Sequence, residues 1–203
     1  MLNDTFKHRG LRKKMIQQLV DAGITNRTVL RVMEEVPRHW FLETAFLDFA
    51  YGDEPFPNRA FFGILPSLEV AKVLSHLNIQ PHQKVLEVGI GTGYTSVLMR
   101  ELKAKVFAIE NDKQVFLDAG NLFEKLAIRM QLYYQQDLRE GLILHAPFDH
   151  IHVMQALPYE PRELMEQLNI QGTLIYRSKK ENLQKTLVVK RLDETTFETT
   201  EVI

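Results

Sequence analysis

The chain has 203 residues, 45% of them hydrophobic, which suffices for a sizeable buried core and falls within the usual size of one domain. Its 25 basic and 26 acidic residues leave a formal charge of -1, so no global attraction draws it to a nucleic-acid polyanion or an anionic membrane. The absence of cysteine excludes disulfides, thiolate metal sites and cysteine nucleophiles. The first residues carry no signal-peptide pattern, and no apolar run approaches the roughly 18 residues of a spanning helix. A soluble, cytoplasmic, monomeric protein with no membrane contact is therefore expected.

Leu11, Met15, Ile16, Leu19 and Val20 recur at helical spacing until Gly23. A second helix is predicted from an N-cap at Thr25 or Asn26 through Val29, Leu30, Val32, Met33 and Val36, ending before Pro37. Residues Tyr51 to Pro66, with Gly52, Pro55, Pro57 and Gly63, read as an ordered loop, followed by a helix from Ser67 to Leu77. Beyond Pro81 short apolar strands alternate with helices, the pattern of a parallel sheet built from βαβ units. Strands are predicted at Lys84–Val88, Lys105–Ile109, Met130–Gln135, His150–Met154 and Thr173–Arg177, and helices at Tyr94–Leu102, Asp112–Leu126 and Pro161–Leu168. Thr186–Leu192 and Phe197–Ile203 alternate with period two around Asp193-Glu194, as an antiparallel hairpin does. The expected fold is α/β: a Rossmann-like, mostly parallel sheet with an antiparallel C-terminal hairpin and a helical N-terminal extension. One domain spans 1–203, with residues 1–80 as helical extension and substrate loop and 81–203 as the cofactor-binding core.

The stretch Val85 to Tyr94 runs from a buried strand through Gly89, Gly91, Thr92 and Gly93 into a helix. Glycines there permit unusual dihedrals and let a ligand lie against the main chain at the strand's carboxyl end. Glu110 closes the next strand, about 21 positions after Gly89, where a carboxylate can accept hydrogen bonds from ribose hydroxyls. The dinucleotide pattern fits less well, because Tyr94 stands at the sixth position from Gly89 and the last glycine comes one residue early. Glu87 near the turn would repel a pyrophosphate, yet it suits the cationic amino group of a methionine moiety. S-adenosylmethionine is thus the expected cofactor. Asp137 follows the third strand, where it either accepts from an adenine amino group, with Leu138 covering the ring, or caps the next turn.

Four segments then carry a resemblance: Met33 to Phe41 with its Val-Pro-Arg-His-x-Phe run, Ala50 to Pro55, the Glu87 to Tyr94 motif, and Ala146 to Ile151. In order and spacing, over about residues 10 to 200, they resemble the protein-L-isoaspartate O-methyltransferase family. The resemblance implies methyl transfer from S-adenosylmethionine to the α-carboxylate of L-isoaspartyl residues in damaged proteins, with a protein or peptide as partner. It places Glu87, Gly89, Gly91, Gly93, Glu110 and Asp137 at the family's cofactor-motif positions. A carboxylate is nucleophilic at neutral pH, so positioning and desolvation carry most of the reaction and no catalytic dyad is required.

One departure concerns the substrate loop. The family carries a Gln-Thr-Ile-Ser-x-Pro stretch; aligned without gaps, Gly63 here stands at its Thr and Leu65 at its Ser, with Ser67 as a substitute only if the loop is shifted. A different small-molecule or nucleic-acid acceptor, or a cofactor-binding homologue without catalysis, are the alternatives. Ala156-Leu157-Pro158-Tyr159 lacks the amide or carboxylate and first proline of nucleic-acid amine methyltransferases, which argues against a nucleic-acid partner. No metal site is expected, and His150 and His152, which share a strand face, read as structural. The basic run Lys7, His8, Arg9, Arg12, Lys13 and Lys14 reads as a solvated helix face.

Overall fold

The computed structural model describes residues 3–52, 64–180 and 183–202. Among them the strands form one seven-stranded sheet in the order β3-β2-β1-β4-β5-β6-β7. These are β1 (Lys84–Val88), β2 (Lys105–Glu110), β3 (Gln131–Tyr134), β4 (Phe148–Leu157), β5 (Leu168–Lys180), β6 (Leu183–Arg191) and β7 (Phe197–Glu201). Strands β1 to β5 pair in parallel, and β6 and β7 are antiparallel additions. The sheet order reverses between β1 and β4, and open α/β sheets bind ligands above such a crossing.

Period-two alternation divides the sheet's apolar residues between two layers. Val85, Ala108 and Ile175 pack with Met15, Val32, Leu74 and Leu98 of the helices α1 (Phe6–Asp21), α2 (Arg27–Glu35), α3 (Ser67–Leu77) and α4 (Tyr94–Glu101). Ala119 and Phe123 of α5 (Lys113–Lys125) join the same layer. On the opposite face Leu86, Ile109, Ile151 and Leu174 meet Leu142, Leu164 and Met165, the last two from the short α6 (Arg162–Met165). Residues 3–52 therefore share one apolar layer with the sheet.

The N-terminal helix begins five residues earlier than its apolar periodicity. Thr5 caps it, its hydroxyl accepting from the His8 amide at 3.2 Å while the Thr5 amide donates to His8 Nδ1 at 3.4 Å. This is a capping box with histidine in the usual Glu/Gln place. Arg12, expected on a solvated face, turns inward instead. Its Nε donates to the Glu34 carbonyl at 2.5 Å and its Nη1 to Tyr51 Oη at 3.1 Å, with Asp4 forking onto the guanidinium. Asn26 is the second helix's cap, accepting from Thr28 and Val29 amides at 3.1 and 3.2 Å.

Two expected boundaries are corrected. The helix predicted over Pro161–Leu168 spans only Arg162–Met165, because Leu168 already opens β5. Strand β5 is 13 residues long, beyond the expected Thr173–Arg177, and pairs antiparallel with β6 from Thr173 to Lys180, so the expected hairpin of β6 and β7 is extended into a three-strand meander.

The two strand histidines are internal. His150 lies with Nε2 2.8 Å from Gln83 Oε1, while its buried Nδ1 has no partner among the described residues. Burial holds the His150 imidazole below its ordinary pKa, the neighbouring Asp149 opposing this, and burial acts on His39 in the same direction. A histidine with a depressed folded pKa takes up protons on unfolding. Its contribution is thus complete above the unfolded value of roughly 6.5 and declines as pH falls below it. Thermal melts should show a lower Tm at pH 5.5 than at pH 7.5, and His150→Asn should flatten that dependence; an unchanged slope would exclude His150 as its source.

Candidate functional site at the carboxyl edge of the sheet

Strand β1 ends at Val88, and the chain turns through Gly89, Gly91 and Gly93, at φ of 79°, 53° and 80°. These left-handed dihedrals are where glycine carries no steric cost. The Gly89 amide donates to the Ile109 carbonyl at 2.9 Å and prolongs the β1–β2 ladder by one bond. A Cβ on Gly93 would lie 2.6 Å from Phe123 Cζ, so this glycine also lets α5 close on the start of α4.

Glu110, at the end of β2, is the best-defined polar group of the turn. Its Oε1 accepts from the Asn111 and Asp112 amides at 2.9 and 3.0 Å, and its Oε2 accepts from the Gly91 amide at 3.3 Å. Three main-chain donors thus fix a carboxylate that is only 3% exposed and that lines a cleft of about 810 Å³. Gly89, Gly91 and Thr92 form the cleft's floor, Met154 and Gln155 one end, and α5 together with Trp40, Phe41 and Leu42 its sides. That volume lies in the range of small-molecule sites. Thr92 Oγ1 and Trp40 Nε1 are buried atoms of cleft-lining residues without a hydrogen-bond partner among the described residues, a hydroxyl and a donor available to a ligand.

The other expected residues fall elsewhere. Glu87 is not among the residues lining the cleft: it shares the face of Val85 and is fully buried below the turn. There Ser96 Oγ donates to its Oε2, and His152 Nδ1, from the neighbouring strand β4, stands 3.3 Å from its Oε1. Glu87 therefore supports the turn from beneath. Asp137 caps the turn Leu138–Glu140 and holds the Arg139 side chain through Nε and Nη2, at 2.9 and 2.5 Å. The Arg139 hydrogen bonds bring the Asp137 carboxyl down to about 2. Asp137 and Leu138 line a smaller recess of about 150 Å³ that shares Asn111 and Gln155 with the cleft.

In the substrate loop, Gly63 lies outside the described residues, as do Phe61 and Phe62. Leu65 is buried, and its carbonyl accepts from Arg38 Nη2 at 2.7 Å. The Ser67 hydroxyl donates to Met15 Sδ at 3.2 Å, inside the helical layer rather than towards the cleft. The wall made by Trp40, Phe41 and Leu42 was not expected from the sequence, although the single tryptophan beside a Pro-Arg-His run was a visible signal.

The model of the protein-L-isoaspartate(D-aspartate) O-methyltransferase family matches residues 10–203. The chain belongs to this family. A protein-L-isoaspartate O-methyltransferase of Flavobacterium johnsoniae is 39% identical over 197 residues, covering 97% of this chain and 92% of the relative. A namesake from Cytophaga hutchinsonii is 36% identical, covering 95% and 87%. Among solved structures, a protein-L-isoaspartate O-methyltransferase superposes with a TM-score of 0.75 at 23% identity, over 90% of this chain and 60% of that one. A Plasmodium falciparum structure assigned to the family, solved with S-adenosyl-L-homocysteine, superposes with a TM-score of 0.77 at 20% identity over 94% of each chain. These likenesses identify the Rossmann-like methyltransferase fold.

Within this methyltransferase fold the Gly93 contact gives a direct test. Gly93→Ala must accept φ of +80° and displace the Phe123 ring, and should lower stability by about 1–3 kcal/mol in urea unfolding. A variant as stable as the parent would show that the close approach of α5 is not needed.

Proposed function

We propose that the chain is an S-adenosylmethionine-dependent methyltransferase that esterifies the α-carboxylate of L-isoaspartyl residues in proteins or peptides. Family membership supports the reaction. The single observation that supports the cofactor is the Glu110 carboxylate, fixed by three amides on the wall of the glycine-floored cleft. Oε1 accepts two of these amides and Oε2 the third, so a lone pair remains on Oε2 as an acceptor for a ligand hydroxyl such as that of a ribose. Thr92 Oγ1 and Trp40 Nε1 offer further polar contacts to the same ligand.

When bound, the cofactor supplies an electrophilic methyl group on a sulfonium. What remains for the protein is to bind, orient and keep out water, because the acceptor carboxylate needs no base. The wall made by buried Phe41 and partly buried Trp40 and Leu42, with Met154 and Gln155, suits that task. His152 is committed to Glu87 beneath the turn and is not assigned a proton-transfer role. On an ungapped alignment buried, apolar Leu65 stands at the family's Ser position, and Ser67 is turned to Met15, so on this reading the acceptor is oriented by other groups.

The reading is tested by transfer of a labelled methyl group to a synthetic isoaspartyl peptide and to its normal aspartyl twin. Base-labile label on the isoaspartyl peptide, and at least about a hundredfold less on the twin, is the expected result, equivalent to roughly 2.7 kcal/mol of discrimination. No transfer, or equal transfer to both, contradicts it.

A further inference from the structure

Strand β4 changes register where it reaches the cleft. His152 pairs with Ile175 and Ala156 with Arg177, so four steps along β4 face two along β5. The surplus residues bulge at Met154 and Gln155, which both line the cleft. Arg177 spans this bulge, and its Nη2 donates to the Met154 carbonyl at 2.6 Å. On the other side its Nε lies 3.3 Å from Oε1 of Glu69, in the first turn of α3, without a hydrogen bond to it or to any other described acceptor. Both side chains are 23% exposed. A guanidinium fork is thus anchored at one corner beside the cleft, with donors left over and a partly exposed, readily exchanged carboxylate as neighbour.

Of the other cations near the site, Lys125 lines the cleft from α5, and the two arginines are engaged elsewhere. Arg139 is forked onto Asp137, and Arg38 is buried with a donor on the Leu65 carbonyl. Arg177 sits across Met154 from Gly89, whose Cβ position would be 3.6 Å from Met154 Cβ. It is therefore a charged donor next to the floor of the cleft, on the side where α3 leads away from Leu65.

Building on the isoaspartyl reading above, we propose that Arg177 is the specificity-determining residue for the acceptor. It takes one oxygen of the substrate α-carboxylate in exchange for Glu69, in place of a hydroxyl contact that Leu65 does not make. Pairing through one oxygen orients the group and leaves the second oxygen exposed for methylation. Guanidinium–carboxylate geometry also accounts for a preference for a free carboxylate over a neutral amide at that position.

The test compares two peptides bound to the full chain in the presence of S-adenosylhomocysteine: an isoaspartyl peptide and the same peptide with its α-carboxylate converted to the amide. The parent protein should bind the carboxylate form at least about tenfold more tightly. Arg177→Met should abolish the preference and raise the KM for the isoaspartyl peptide while leaving cofactor affinity unchanged, and Arg177→Lys should restore part of it. Glu69→Gln keeps the guanidinium and removes its competitor, so it should strengthen carboxylate binding by several-fold; it decides the matter even if Arg177→Met does not fold. A parent without the preference, an Arg177→Met variant that retains it, or a Glu69→Gln variant that loses it would overturn the proposal. Preference without methyl turnover would refute the isoaspartyl methyltransferase reading and leave Arg177 as a carboxylate receptor.

Discussion

The structure of the site depends on one interaction, the capture of the Glu110 carboxylate by the amides of Gly91, Asn111 and Asp112. A buried carboxylate is costly unless its oxygens are hydrogen-bonded, and main-chain donors in two successive turns meet that need. The Gly91 amide reaches Glu110 only because the turn bends through left-handed dihedrals. The bond therefore ties the end of β1 to the end of β2, leaving the cleft open above and the helix α4 departing below. Ligand chemistry at this edge and the backbone conformation of the turn are the same constraint seen from two sides.

A second buried acid reinforces the arrangement. Glu87 does not line the cleft, but Ser96 of α4 and His152 of β4 converge on it. It joins the helix after the glycine turn to the two central strands, so movement of any of the three would expose an unpaired polar group. Arg38 has a comparable place on the N-terminal side. Its guanidinium holds the Leu65 carbonyl and stands 5.1 Å over the Tyr94 ring, linking the wall at Trp40 to the first residue of α4. The extension formed by residues 3–52 is thus part of the cleft's construction as well as of its apolar layer.

Much of this was legible in the sequence because it is local. The glycine spacing, the run of apolar residues before it and the acid closing the following strand specify a strand, a turn and a ligand edge without reference to distant residues. Helix α3 was equally plain, since Val70, Ala71, Leu74 and Leu77 mark one buried stripe. What was not legible depends on parity or on distant partners. Glu87 is close to the turn in sequence, but Ser96 and His152, brought to it from α4 and β4, engage both of its oxygens below the turn. Arg12 looks like one of a cluster of surface cations until Glu34 and Tyr51 are brought to it. The length of β5 escaped notice because Ser178 and Lys179 are polar residues held in the sheet by pairing with β6. Trp40 belongs to the cleft only through the path of the N-terminal extension.

The central claim is that Glu110 marks a cofactor site, and titration calorimetry with S-adenosylhomocysteine addresses it most directly. The account predicts one binding site on the parent protein and an affinity loss of about 1–3 kcal/mol in Glu110→Ala, the range of a charge-assisted hydrogen bond. Unchanged affinity in that variant, or binding of NAD in place of S-adenosylhomocysteine, would contradict it.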